Sequence, residues 1–266
     1  MTHRVKNKIA LVTGGARGIG AATAKLLAEE SATVMITDIR DDLGQAMADS
    51  LGDNVHYRHL DVSSEDKWIQ VFSDIKSRFG GLDILFNNAG ISGLNEGFGP
   101  QNPEESTLES WHKVHHVNLD GVFLGCKHGI HIMKDKGGSI INMSSRSGMV
   151  GIPDAAAYAS SKAAIRNHTK TVALYCARQG YNIRCNSLHP GAIMTPMWDS
   201  LFEHSTSGKE QAIAEIAAGI PIGHMGEPED VAQAVVYLGS DESKYLTGIE
   251  LTIDGGILAG ATSALK

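Results

Sequence analysis

The sequence is short of cysteine, of clustered positive charge and of long apolar runs, and each shortage removes a class of protein. Its three cysteines, Cys126, Cys176 and Cys185, are odd in number, lack Cys-x-x-Cys spacing and each lie in an apolar segment. That pattern excludes a disulfide framework and fits packed thiols in a reducing compartment. Lys and Arg number 23 against 30 Asp and Glu, and they are dispersed along a chain of formal charge -7. No basic field is therefore available for a nucleic-acid partner. No run is apolar over the length a bilayer requires, and the opening MTHRVKNK contains no apolar signal core. A cytoplasmic protein with no membrane segment is expected. Repeats, low-complexity tracts and composition shifts are absent as well, so residues 1–266 read as one domain.

What is present is an alternation. Short runs rich in Val and Ile, at 8–13, 33–38, 55–60, 82–87, 139–144, 182–188 and 249–254, are separated by longer segments of helical period. Several of these runs are apolar throughout, as strands covered on both faces must be. The expected fold is α/β: a doubly wound, Rossmann-type parallel sheet of seven strands with helices on both faces. Two stretches read as loops, 91–106 and 194–226, the latter with a helix-like middle bounded by Pro196, Pro221 and Pro228. Both follow the C-terminal end of a strand. Ligands bind at that edge of an open α/β sheet, so these loops are expected to wall a substrate pocket.

Between the first strand and the first helix lie Gly14, Gly15, Gly18 and Gly20, with Arg17 and Ile19 inside the turn. Glycines there let the backbone approach a pyrophosphate, while the helix N-terminus offers free N–H groups. A glycine cluster alone is also what any tight βα turn needs. The second strand, however, ends in Asp38, where a carboxylate meets the adenosine ribose hydroxyls. A 2′-phosphate beside that carboxylate would be repelled by roughly 1 to 4 kcal/mol. NAD is thus expected over NADP. Arg17 and Arg40 soften the argument, whereas Ile39 directly after the acid is not basic.

The glycine spacing, Gly-x-x-x-Gly-x-Gly, departs from the general dinucleotide fingerprint. With TGGARGIG at 13–20, Asp61-Val62, NNAG at 87–90, Asn118, Ser145, Tyr158-x-x-x-Lys162 and Pro190-Gly191, the whole chain resembles the short-chain dehydrogenase/reductase family. The resemblance implies that Asp61 and Val62 hold the adenine and that Asn88 and Gly90 steady the sheet edge under the cofactor. It also implies that Ile193 and Thr195, just after Pro190-Gly191, contact the nicotinamide carboxamide. It selects Ser145 over its neighbour Ser144, because the family serine stands thirteen residues before the tyrosine. Asn118 resembles the asparagine that completes a proton relay from the lysine to solvent.

Tyr158 and Lys162 are one helical turn apart on a predicted helix, and so share a face. A phenol working near neutrality needs about 4 kcal/mol of differential stabilisation of its phenolate, which a nearby ammonium and an oxidised nicotinamide can supply. Tyr158 is then the general acid/base, Lys162 its activator, and Ser145 the donor to the substrate oxygen, at the end of its strand. Both Tyr158 and Lys162 are also expected to contact the cofactor.

The histidines at 112, 115, 116, 128 and 131 share one predicted helix, but no carboxylate or cysteine set of ligand spacing accompanies them, and the tail ATSALK adds no side-chain ligand. No metal is expected. The segments INMSSRSG, AYASSKAA, LHPGAIMTPM and GHMGEPEDVA look most like members acting on hydroxysteroids, cyclic alcohols or bulky aliphatic secondary alcohols. Met194, Met197, Trp198, Leu201 and Phe202 in the second loop suit an apolar small-molecule alcohol or ketone. The alternatives are an NADP-dependent 3-oxoacyl thioester reductase, which Asp38 and the negative chain oppose, and a non-catalytic dinucleotide-binding sensor, which would lack one of the catalytic residues. The resemblance further implies a homotetramer.

Overall fold

A computed structural model describes residues 3–203, 205, 206 and 208–260. The tail ATSALK lies outside the described residues. The strands are β1 (Ile9–Thr13), β2 (Thr33–Asp38), β3 (Val55–His59), β4 (Ile84–Asn87), β5 (Gly138–Met143), β6 (Ile183–Pro190) and β7 (Glu250–Ile253). They form one parallel sheet in the order β3-β2-β1-β4-β5-β6-β7. The helices are α1 (Gly18–Glu29), α2 (Asp41–Leu51), α3 (Glu65–Phe79), α4 (Leu108–His115), α5 (Gly121–Met133), α6 (Ala156–Arg178), α7 (Asp199–Glu203), α8 (Lys209–Ala218) and α9 (Pro228–Gly239).

The two-residue period of a strand assigns each strand residue to one of two cores. In β1, Leu11 joins a cluster with Met35, Leu85, Ile140 and Cys185 against α3, α5 and α6. Its neighbours Ala10 and Val12 join Val34, Ile36, Ile84 and Phe86 against α1, α2 and α9 on the opposite face. Helix ends are set locally. Thr107 accepts from the Ser110 N–H at the start of α4, Gly80 takes the left-handed C-cap of α3 at φ 80°, and Glu227 and Asp230 form a reciprocal capping box around Pro228.

Strand order reverses between β1 and β4, so the loops leaving these two strands diverge and open a crevice at the C-terminal edge. Three local features differ from the sequence reading. β6 runs two residues further, to Pro190, because His189 and Pro190 continue in register with Thr252 and Ile253. β5 ends at Met143, so Ser145 lies beyond the strand: its Oγ accepts the Ser147 N–H and caps a 3₁₀ turn, Arg146–Gly148. Finally, α4 passes into α5 through a π-helical turn, His116–Asp120, which holds Asn118.

Candidate active site

A cleft of about 880 Å³ opens at the reversal point; of the apolar set expected in the second loop Met197, Trp198 and Leu201 line it and Met194 and Phe202 do not, while every catalytic or cofactor-binding residue nominated from sequence lines it except Gly20 and Asn118. Both lie just behind its wall. A Cβ on Gly20 would stand 2.1 Å from the Gly14 carbonyl oxygen, so the first turn of α1 closes over the glycine loop only without a side chain. Gly14 itself has φ 62° and Gly18 φ 55°, a left-handed backbone that glycine adopts without strain. Thr195 packs 3.5 Å from where a Gly18 Cβ would be, bringing the segment that follows β6 against the glycine loop.

Thr13, to which sequence reasoning gave no role, ties β1 to β4. Its Oγ1 accepts the N–H groups of Asn88 at 2.9 Å and Ala89 at 3.0 Å, and Asn88 Nδ2 returns a bond to the Thr13 carbonyl at 2.9 Å. The signal was the threonine heading TGGARGIG. At the far end of the cleft the Asp38 carboxylate accepts the N–H groups of Ala16, at 3.2 Å, and Arg40, at 3.1 Å. Asp61 is held by Ser63 N–H and Oγ–H, and the Val62 carbonyl accepts the Trp68 indole N–H at 2.8 Å.

The glycine loop, the open N-terminus of α1 and the carboxylate at the end of β2 fit a dinucleotide. The cradle at Gly14 and Gly20 is one that a Cβ would fill, and the first turn of α1 contains no competing acidic residue. Just after Pro190-Gly191, Ile193 pairs with Gly226 in a short parallel bridge that fixes the path of the chain there.

On the opposite wall, α6 presents Tyr158 and Lys162. Lys162 Nζ sits 5.5 Å from the centre of the Tyr158 ring and donates to the Met143 carbonyl at 2.9 Å. Burial without an anionic partner pulls its ammonium down to about 8. Burial moves the Tyr158 phenol the other way, above its ordinary value, and a hydrogen bond with Ser145 offsets part of that rise. Ser144 and Ser145 separate cleanly. Ser144 Oγ is spent on the Lys162 carbonyl at 2.8 Å, leaving Ser145 beside the phenol. Asn118 is wholly buried: its Oδ1 accepts the Ile91 N–H at 2.8 Å, and its Nδ2 donates to the Ile91 carbonyl and to Ser161 Oγ.

Leu94, Ile152, Met197, Trp198, Leu201 and Ile220 form the apolar part of the wall, drawn from 91–106, 194–226 and the approach to α6. Asn95 joins the two long loops. Its Nδ2 donates to the carbonyls of Met197, at 2.9 Å, and Pro196, at 3.4 Å, and its Oδ1 accepts the Ser200 N–H at 3.2 Å. Nothing in the local sequence signals this contact, which spans a hundred residues.

Histidines of α4, the π turn and α5 find separate partners: His115 the Trp111 carbonyl, His116 Asp120, and His128 Glu65. Among the described residues no group of three or more His, Cys, Asp or Glu side chains could hold a metal ion, and no helix is long and apolar enough to cross a membrane.

A Tyr-Lys pair on a helix beside a serine just past the end of β5, facing a glycine loop at the reversal point of a parallel sheet, is an arrangement that fits a dinucleotide-dependent oxidoreductase. A family model described as enoyl-(acyl carrier protein) reductase matches residues 14–258. An NADP-dependent (R)-specific alcohol dehydrogenase of Lentilactobacillus kefiri is 44% identical, over 97% of this chain and 100% of its own length. A 3-beta-hydroxysteroid dehydrogenase of Comamonas testosteroni is 42% identical over 97% and 98%. A cyclopentanol dehydrogenase of Comamonas sp. is 40% identical over 96% and 99%. The chain belongs to the short-chain dehydrogenase/reductase family, whose members are nicotinamide-dinucleotide oxidoreductases.

Proposed function

We propose that the protein interconverts a bulky, apolar secondary alcohol and its ketone with NAD. The observation that carries this reading is the meeting of Tyr158, Lys162 and Ser145 at the base of a cleft with apolar walls at one end and Asp38 at the other. Bound there, the dinucleotide supplies the hydride acceptor or donor. Ser145 Oγ donates to the substrate oxygen and holds it beside the Tyr158 hydroxyl. In oxidation Tyr158 takes the hydroxyl proton as the C–H bond breaks, and in reduction it returns one. Lys162, charged in the main at neutral pH, stabilises the phenolate, and the two N–H groups not used by Met143 serve the cofactor ribose and water. The Asn118 amide is committed to Ile91 and Ser161, so its part in a water-borne proton relay falls to its main-chain carbonyl inside the π turn. The loops 91–106 and 194–226 close the substrate end.

Asp38 favours NAD, since an ionised carboxylate at the end of β2 would repel a 2′-phosphate held beside it. Arg17 and Arg40 line the same end of the cleft, and one relative is NADP-dependent, which gives the NADP reading its support. The three free, buried cysteines suit a reducing, cytoplasmic setting. Exposed Leu108, Phe123, Leu174 and Tyr175 on α4, α5 and α6 support assembly into a homotetramer through these helices.

The test is a panel of secondary alcohols, sterols and hydroxyacyl thioesters assayed with NAD and with NADP. Turnover of bulky neutral alcohols with the lower KM for NAD is expected, together with at least a hundredfold loss in Tyr158→Phe. Preference for acyl thioesters with NADP would move the protein to the reductase reading, and silence across the panel with NAD still bound would leave only a sensor.

A further inference from the structure

His189 is wholly buried at the end of β6, directly before Pro190-Gly191, and makes two directed contacts. Its Nδ1 lies 3.2 Å from the main-chain oxygen of Ser145, and its Nε2 lies 2.8 Å from Ser187 Oγ. A carbonyl oxygen only accepts, so Nδ1 must carry a proton. Burial lowers the imidazole below its ordinary value, and the charges facing it, Glu250 on β7 and Arg166 and Lys170 on α6, act in opposite directions. A neutral ring then has one lone pair left, at Nε2, for the Ser187 hydroxyl proton. Ser187 Oγ also lies 3.3 Å from the Ile249 carbonyl, but one proton cannot serve both, and the shorter contact takes it.

The Ser145 carbonyl accepts a second bond from the Gly148 N–H at 2.9 Å, while Ser145 Oγ accepts from the Ser147 N–H at 3.1 Å. Ser145 stands beyond the last ladder position of β5, so the sheet does not fix its peptide. Its orientation comes from the 3₁₀ turn on one side and from β6 on the other. We infer that His189, as the Nδ1–H tautomer, is a positioning residue that sets the Ser145 peptide and thereby aims Ser145 Oγ at the substrate oxygen. Ser187 fixes that tautomer from behind, in the way an outer partner fixes an imidazole at a metal site. The inference rests on the proposed role of Ser145 as donor to the substrate.

Two near-isosteric changes separate the two ring nitrogens. The amide N–H₂ of asparagine falls near Nδ1 and that of glutamine near Nε2. His189→Asn keeps the donor to Ser145, and His189→Gln loses it. In the full-length protein with NAD and its best alcohol, His189→Gln is expected to lose about ten- to a hundredfold in kcat, the scale of a misaimed catalytic group. NAD affinity, followed by protein fluorescence, and the melting temperature should move little, while His189→Asn should stay within about threefold of wild type in kcat. Equal activity in the two variants, or equal loss accompanied by a lowered melting temperature, would overturn the inference. Ser145→Ala in parallel tells the two ideas apart: full activity there removes the donor role of Ser145 and the inference with it, whereas a large loss with no difference between the His189 variants removes the inference alone. Nitrogen-15 imidazole spectra of the wild-type protein, assigned by subtraction of His189→Asn, give a readout free of turnover. A protonated Nδ1 for His189 supports the inference, and a protonated Nε2 overturns it.

Discussion

The base of the cleft and its walls are built by different rules. At the base, Thr13, Asn118, Ser144 and Lys162 are buried, and each is tied by at least one hydrogen bond to the main chain of a neighbouring segment. Unmet hydrogen bonds there would cost about 1 to 3 kcal/mol each, so these side chains have no second arrangement at comparable energy. The walls, by contrast, carry half-exposed apolar groups such as Leu94 and Leu201, and an exposed asparagine, Asn95, joins their two long loops. A rigid base fixes the reaction, while loosely braced walls are free to fix the substrate.

Substitution can break this contrast at either level. Lys162→Met should have the largest effect, a loss of about 10² to 10⁴ in kcat on every alcohol tested, with NAD still bound. The same variant should be the more stable protein at pH 7. Burial lowers the folded-state pKa of Lys162 from 10.5 to about 8, so below about pH 8 the fold carries the full cost of a buried charge. Between there and pH 10.5 the unfolded chain binds more protons, and wild-type stability rises with pH. Urea unfolding should show the variant ahead at pH 7, by at most about 3 kcal/mol, and its lead shrinking toward pH 10. Gly20→Ala should come next, since its methyl group would meet the Gly14 carbonyl; calorimetry should show NAD affinity down by about 1 to 3 kcal/mol. Asp38→Ser should shift the NAD:NADP ratio of kcat/KM by about tenfold toward NADP, with kcat on NAD little changed. Asn95→Ala should be mildest, raising KM for a bulky alcohol about two- to fivefold through the loss of an exposed bond while leaving the melting temperature and a small alcohol almost untouched. Equal effects of Asn95→Ala on small and bulky alcohols would erase the distinction between base and walls.

Much of the base was legible in sequence because its parts are local. The apolar runs mark strands, Tyr158 and Lys162 share a helix face by spacing alone, and Gly14 to Gly20 lie in one turn. What sequence could not disclose depends on register between segments far apart. His189 meets Ser145 only because β6 continues to Pro190 while β5 stops at Met143. Asn95 reaches the 196–200 segment across a hundred residues, with no periodicity to mark it. The opposed displacements of Tyr158 and Lys162 come from burial, which neither residue's neighbours in sequence determine.

The π turn at His116–Asp120 amounts to one residue more than a regular helix would hold. Upstream of it α4 buries Val114, and downstream α5 buries Val122, Cys126 and Met133. The wider turn takes up the added residue, so the segments on either side keep the angular relation that an unbroken helix one residue shorter would give them, at about 100° per residue. A single-residue deletion within 116–120 would therefore be absorbed, closing the wide turn into regular helix with the Val114 and Cys126 faces still in the core, whereas a deletion elsewhere in α5 that left the wide turn intact would rotate one of those faces away by about 100°.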